Sequence, residues 1–284
     1  SDVTEIKTYF NFIKYCLQPG GDFLNYVDEQ GNFTEQNNTA NLADSNGRAI
    51  WALGYMISIS ELLPKDLVEN AKAVMQNALP RINEMHSTRA MAFTIKGLFY
   101  CNNVNRSPEY SLLIKTLSER LVQMYRHESN KDWEWFESYL TYANSILPEA
   151  MLCAYSETGE EIYQEIGKAS FNFLLSKTFD GDRIRVISNK NWLHRGEETI
   201  PVTNGGEQPI DVAYTVLTLS RFYDVFGDDD YLYKMEAAFN WFLGDNHLHQ
   251  IIYNPCTGGC YDGLEENYVN LNQGAESTLS YLMA

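Results

Sequence analysis

Two patterns of apolar residues alternate along the chain. In the first, apolar residues occupy one helical face. Between Pro64 and Ile82 these are Leu67, Ala71, Val74, Met75, Ala78, Leu79 and Ile82, with Lys, Asp, Glu, Asn and Gln opposite. Similar stripes run through Pro108–Arg126 (Leu113, Leu117, Leu121, Met124), Gly159–Lys177 (Ile162, Ile166, Phe173) and Asp230–Leu243 (Leu232, Met235, Phe239, Phe242). Residues 2–17 make another, and Pro64 and Pro108 stand where a first helical turn tolerates proline. The second pattern is apolar nearly all round: Ala49–Leu63, Ala90–Cys101, Phe136–Tyr155, Ile210–Phe226 and Ser277 to the end. A helix without a polar face is buried on every side. The two kinds alternate with roughly 40–60 residues per pair, the spacing of helical arrays. This predicts an all-α fold of two concentric layers in one domain spanning residues 1–284.

Three stretches interrupt the alternation. Residues 19–41 read as a turn-rich hairpin or loop, and residues 178–209 as a long connection carrying Gly181, Gly196, Gly205, Gly206, Pro201 and Pro209. Residues 244–275 form another connection, in which Gly258-Gly259 reads as a turn. Loops longer than about 15 residues are usually functional, and each of these leads into an apolar helix.

The apolar helices also begin alike. Five polar clusters run straight into them: Asp44-Ser45-Asn46-Gly47-Arg48, His86-Ser87-Thr88-Arg89, Trp133-Glu134-Trp135-Phe136-Glu137, Gly205-Gly206-Glu207-Gln208-Pro209-Ile210-Asp211 and Asn272-Gln273-Gly274-Ala275-Glu276. Helix N-termini gather positive dipole and unpaired N–H groups, so acids there have an ordinary capping role. If the helices lie parallel, the clusters converge on one mouth of acids, arginines and aromatics.

Composition narrows the partners. The chain is 44% hydrophobic and 13% aromatic, enough for a core, and its net charge of −17 repels phosphate backbones and anionic lipid. Nucleic acid is therefore excluded as a partner, and neutral or cationic small substrates fit. No apolar run reaches the ~20 residues of a bilayer span, so no membrane partner is expected. No signal-peptide pattern opens the chain, and its first residue is serine, consistent with trimming from something longer. Cys16, Cys101, Cys153, Cys256 and Cys260 are odd in number, and three lie in apolar helical stretches, which points to reduced thiols and the cytoplasm. Cys256 and Cys260 with His247 and His249 have loose spacing for zinc, so neither a metal nor another cofactor is expected. Asp228-Asp229-Asp230 follows Gly227 at the far end of an apolar helix and reads as the cap of the next one. No P-loop, dinucleotide fingerprint or nucleophile elbow is present in the sequence.

Over nearly its whole length the chain resembles the six-hairpin glycosidase superfamily, the (α/α) toroids. Asp44-Ser45-Asn46-Gly47-Arg48-Ala49, Gly206-Glu207-Gln208-Pro209-Ile210-Asp211 and Asn272-Gln273-Gly274-Ala275-Glu276-Ser277 also resemble segments of bacterial glycosidase-like and sugar-transferring proteins. The resemblance implies an (α/α) toroid of five to six hairpins, since about five inner and five outer helices are counted here against six of each in the complete fold. It also implies a site at the N-terminal ends of the inner helices, with carboxylates as acid, base or nucleophile.

Glycoside hydrolysis needs one protonated and one ionised carboxyl group. Glu137, behind Trp133, Trp135 and Phe136, has the apolar surround that raises a general acid's pKa, and is the expected acid. Asp211 or Glu207 is the expected base, and Asp44 with Arg48 a substrate clamp. Sugar rings stack on aromatics and hydroxyls pair with polar side chains, so Trp133, Trp135, Tyr139 and Tyr142 are expected to stack. His86, Arg89, Asn144, Gln208 and Glu276 are expected to bind hydroxyls. Aromatics in such a position are also commonly core. The expected substrate is a neutral oligosaccharide. Two alternatives stay open: a sugar epimerase using His86 with His247 or His249, and a non-catalytic carbohydrate-binding domain associated with a glycosyltransferase.

Overall fold

The computed structural model describes residues 2–197 and 205–284. In the first part of the chain come α1 (Asp2–Cys16), α2 (Ala43–Ser58), α3 (Lys65–Ile82), α4 (Thr88–Val104) and α5 (Pro108–Glu128). Then follow β1 (Tyr139–Leu140), α6 (Ile146–Thr158), α7 (Glu161–Thr178), β2 (Phe179–Asp180), β3 (Arg183–Ile184) and β4 (Leu193–His194). The last elements are α8 (Pro209–Phe226), α9 (Asp229–Asn240), β5 (Tyr253–Asn254), β6 (Gly259–Cys260), β7 (Gly263–Leu264), β8 (Val269–Asn270) and α10 (Ala275–Met283). The described chain divides into two compact units, Ser1–Gln123 with Cys153–Tyr163, and Met124–Leu152 with Gln164–Ala284.

In the first unit the amphipathic reading of α3 holds in detail. Leu67, Ala71, Val74, Met75, Ala78, Leu79 and Ile82 are all buried, and Pro64 caps the helix from outside. Each buried Leu or Val side chain contributes roughly 1.5–3 kcal/mol of transfer free energy. The helix α4 is buried nearly all round, from Thr88 to Asn102. The helix α2 is buried along one face only: Gly47, Ile50, Leu53, Gly54 and Ile57. That face meets α4 backbone to backbone, because a Cβ at Gly54 would lie 2.0 Å from the Gly97 carbonyl oxygen and one at Gly47 2.6 Å from that of Ala90. Ahead of α2, residues 19–41 form a bridged loop rather than long strands. Asn37 organises it, accepting from the Asn25 and Tyr26 N–H groups, each at 2.9 Å.

In the second unit α8 is buried nearly all round. Its end is a left-handed Gly227, after which the Asp228 carboxylate accepts from the Asp230 N–H at 3.0 Å and caps α9. The sequence reading of that triplet as a cap is therefore correct. Two other expectations need correction. Residues 136–145 are not helical, and α6 begins only at Ile146. The apolar side chains of this stretch are satisfied by packing in an irregular loop, where Asn144 both accepts from the Thr141 N–H (3.0 Å) and donates to its carbonyl (2.8 Å), closing a turn. The last helix, α10, is not buried all round: its buried residues are the small Ser277 and Ser280, while Leu279 and Leu282 are exposed. Antiparallel two-residue ribbons join β1 to β4, β2 to β3, β5 to β6 and β7 to β8. Pro201 of the expected long connection lies outside the described residues. Among the described residues no helix is long and apolar enough to cross a membrane.

Candidate functional site

The second unit holds a polar cleft of about 290 Å³ built from two of the five helix starts. Its lining comes from Gly206, Glu207 and Gln208 ahead of α8, from Gly274 to Ser277 at the start of α10, from Asp262 to Glu265, and from Asn189 and Asn270. Glycine makes this arrangement possible. Gly206 has φ +73°, and a Cβ there would lie 2.6 Å from both the Asn189 and Ser188 side-chain oxygens. Glu207 then pairs with Leu264, exchanging backbone hydrogen bonds of 3.1 and 2.9 Å. A Cβ on Gly263 would sit 2.2 Å from the Glu207 carbonyl oxygen, so only glycine permits that pairing. Pro209 at the first helical turn launches α8 immediately afterwards.

Glu207 is 4% exposed. The Trp241 indole N–H donates to its Oε2 at 2.9 Å. His247 Nδ1 stands 3.1 Å from its Oε1, an ion-pair separation rather than a well-aligned hydrogen bond. On the other side of the ring, His247 Nε2 lies 2.9 Å from the Glu265 carbonyl oxygen. Interaction with Glu207 chiefly raises the His247 pKa above its ordinary value, with the Glu265 carbonyl assisting and burial and the Arg185 charge opposing. Asn246 holds the loop that presents His247, donating to the Trp241 and Gln250 carbonyls, each at 2.8 Å.

The other acids of the cleft have different partners. Burial alone would raise the Asp262 carboxyl, but hydrogen bonds from Asn272, from the Gly274 N–H (2.7 Å) and from Ser277 together hold it below the ordinary carboxylate range. It thereby ties down the start of α10. Glu265 pairs with Lys190. Glu276, in the first turn of α10, lines the cleft and is exposed. Asp211 lies one turn beyond Glu207 on α8, is buried, and does not line the cleft. Its Oδ1 accepts the Ala143 N–H at 2.6 Å. Ala143 has φ +48°, a left-handed conformation that costs a non-glycine residue about 1–3 kcal/mol, so Asp211 holds a strained loop in place.

The Trp133–Glu137 cluster takes the commoner of its two expected forms. Trp133, Trp135 and Phe136 are 3%, 0% and 1% exposed and pack as core. The Trp133 indole donates to the Glu137 backbone carbonyl at 2.7 Å and its ring meets Phe173 edge-on at 5.0 Å. These two tryptophans offer no stacking platform. Glu137 itself is half-buried and is not among the cleft-lining residues. The aromatic pair available to solvent is different: Tyr139 stacks on Trp192 at 5.7 Å, and Trp192 is 45% exposed, as is Tyr142 at 37%.

The first unit holds the remaining expected residues. Asp44 and Arg48 form an ion pair at 3.1 Å, and the guanidinium lies 4.7 Å from the Phe93 ring centre. Arg48 borders a largely apolar groove of about 260 Å³ lined by Phe12, Ile13, Cys16, Phe23 and Leu24. Arg89 is buried on α4, and His86 is exposed just before it. Lys96, also buried on α4, stands 4.3 Å from the Trp51 ring centre.

Pro255 to Gly258 form the turn of the β5–β6 ribbon, with Cys256 exposed and Cys260 buried. Among the described residues no three His, Cys, Asp or Glu side chains are grouped to hold a metal ion. Asn189, Trp241, Asp262 and Asn270 escaped the sequence reading. The two glycines preceding Glu207 were the one local sign that its surroundings are crowded.

The whole described architecture resembles solved structures of six-hairpin glycosidase-like proteins. A D-mannose isomerase matches with a TM-score of 0.65 and 14% identity over 99% of this chain and 84% of that one. The GH76 α-mannanase of Bacteroides thetaiotaomicron matches at 0.67 and 10% identity, over 98% and 76%. A sugar epimerase from a ruminal bacterium matches at 0.63 and 15%, over 95% and 77%. At these identities the likeness shows the fold, all-α and of the (α/α) toroid kind. No protein-family model matches the chain. No curated protein matches it in sequence.

Proposed function

We propose that the chain is a carbohydrate-active enzyme, a glycoside hydrolase for a neutral oligosaccharide, acting at the Glu207 cleft. The observation that carries this reading is one cleft lined by two acidic residues from separate helix starts, Glu207 and Glu276, together with the amide-bearing Asn189, Gln208 and Asn270. Amides supply both donors and acceptors to sugar hydroxyls, and hydrolysis needs two carboxyl groups with different tasks. Glu207 gives a proton to the glycosidic oxygen as its bond to the anomeric carbon breaks. Glu276 takes a proton from the attacking water, so one water is consumed, the leaving group departs as an alcohol and the anomeric carbon becomes a hemiacetal, the new reducing end. Asp211 is a positioning residue, acting through the Ala143 loop. Glu137 does not line the cleft and is assigned no part in proton transfer. The net charge of −17 favours a neutral sugar over an anionic one.

The test is a panel of neutral oligosaccharides and aryl glycosides, assayed for new reducing ends. Turnover is expected, with Glu207→Gln and Glu276→Gln each losing roughly 10²–10⁴-fold in kcat while retaining the native circular dichroism spectrum. Full activity in either variant would contradict its assignment. Isomerisation or epimerisation of a free sugar is the second reading. It is favoured by the imidazole beside Glu207 and by the likeness to a mannose isomerase and a sugar epimerase. Deuterium uptake at a ring carbon in D₂O without new reducing ends would select it. Sugar affinity with neither reaction would instead select a binding role, of the kind a glycosyltransferase partner would need.

A further inference from the structure

His247 is not among the residues lining the cleft, yet its contacts fix where a proton sits behind it. Its Nε2 lies 2.9 Å from the backbone carbonyl of Glu265. A carbonyl oxygen only accepts, so Nε2 carries a hydrogen. Nδ1 stands 3.1 Å from Glu207 Oε1 and has no better-aligned partner. A bare nitrogen lone pair against a buried carboxylate oxygen is repulsive, and a proton on Nδ1, which makes the ring positive, removes the conflict. Trp241 decides which atom keeps it at rest. Its N–H on Oε2, 2.9 Å away, stabilises the carboxylate charge, so the resting proton stays on the imidazole. Beyond Glu207 and the Glu265 carbonyl, the charged group that acts on His247 is Arg185, which opposes protonation. The nearby Lys190 ammonium is occupied by the Glu265 carboxylate.

We propose that His247 is the proton store of this site, a positioning residue that passes one proton through the Glu207 carboxyl to the leaving oxygen. The proposal rests on the hydrolase reading of Glu207. On donation the proton leaves Nδ1, Glu207 delivers it to the glycosidic oxygen, and His247 is left neutral with its hydrogen on Nε2. The proton that Glu276 takes from water is released to solvent, and the pair regains one from solvent. No net proton is consumed.

Nitrogen-15 spectra of the full chain labelled at histidine test the store without any substrate, so a failure of the hydrolase reading leaves this measurement unchanged. His247 is expected to be an imidazolium at pH 7 and to titrate above the ordinary histidine value of about 6.5. In Glu207→Gln it is expected to become neutral at pH 7, with hydrogen on Nε2. Trp241→Phe, which removes the donor to Oε2, is expected to lower the imidazolium fraction. A neutral His247 in the native chain, or one that titrates identically in Glu207→Gln, overturns the proposal. In kinetics, His247→Gln is expected to lower kcat roughly 100-fold with KM within a few-fold, and to abolish the alkaline fall of the pH profile. An unchanged alkaline limb would reduce His247 to a structural role and overturn the relay.

Discussion

The starts of α2 and α8 use the same classes of residue and reach opposite chemical states. Ahead of and within the first turns of α2, Asp44 faces Arg48 at 3.1 Å, with both side chains a quarter to a third exposed at 26% and 30%. Ahead of α8, Glu207 is 4% exposed, and its partners are a tryptophan N–H and a histidine. An arginine neutralises its acid permanently, since the guanidinium does not release its proton. A histidine leaves a proton that can move at neutral pH. On the proposed reading, the identity and burial of the partner, rather than the presence of an acid at a helix start, separate the α2 start from the α8 start.

The widest gap between the two regions is expected in turnover. Glu207→Gln should lose roughly 10²–10⁴-fold, equivalent to about 2.7–5.5 kcal/mol of transition-state stabilisation. Asp44→Asn should stay within a few-fold, and a comparable loss there in the reducing-end assay would erase the distinction. Stability should show the reverse ranking. Gly54→Ala forces a methyl group into the Gly97 backbone across α2 and α4, with no flexible side chain to yield, and should cost about 3 kcal/mol in denaturant unfolding. Wild-type stability in that variant would mean that the two helices are free to separate at little cost.

A smaller effect is expected in pH dependence. His247 has a pKa raised in the folded chain, so the stability it contributes is full below about 6.5 and is lost as pH rises through the folded value. The thermal midpoint gap between the native chain and His247→Gln should therefore be widest near pH 6 and narrow by pH 9. A gap that widens with pH would reverse the sign of the coupling. The smallest effect belongs to Arg48→Ala. A partly exposed ion pair contributes about 0–1 kcal/mol, and loss of the guanidinium beside Phe93 adds little more.

Periodicity made most of the helices legible. The α3 stripe is buried residue for residue, and Asp228 caps α9 as its position after Gly227 suggests. The failures share a cause: hydrophobicity reports burial, not conformation. Trp135 and Phe136 are as buried as any helical core residue, yet they sit in a loop closed by Asn144 and held by Asp211 through the left-handed Ala143. The converse holds at α10, where Ser277 and Ser280 form the buried face and two leucines face solvent. The site was half legible. Glu207, Gln208 and Glu276 announce themselves at helix starts, but Trp241 and His247 reach Glu207 from 34 and 40 residues further along the chain. Asp262 likewise acts on the start of α10 from a ribbon whose two-residue strands leave almost no periodic trace.

Crystals of the Glu207→Gln chain soaked in a neutral oligosaccharide test the central assignment most directly. A sugar ring is expected in the cleft, with hydroxyls on the Asn189, Gln208 or Asn270 amides and a glycosidic oxygen within hydrogen-bond reach of position 207. A sugar seated instead against Asp44 and Arg48, with the Glu207 cleft left empty, would contradict it.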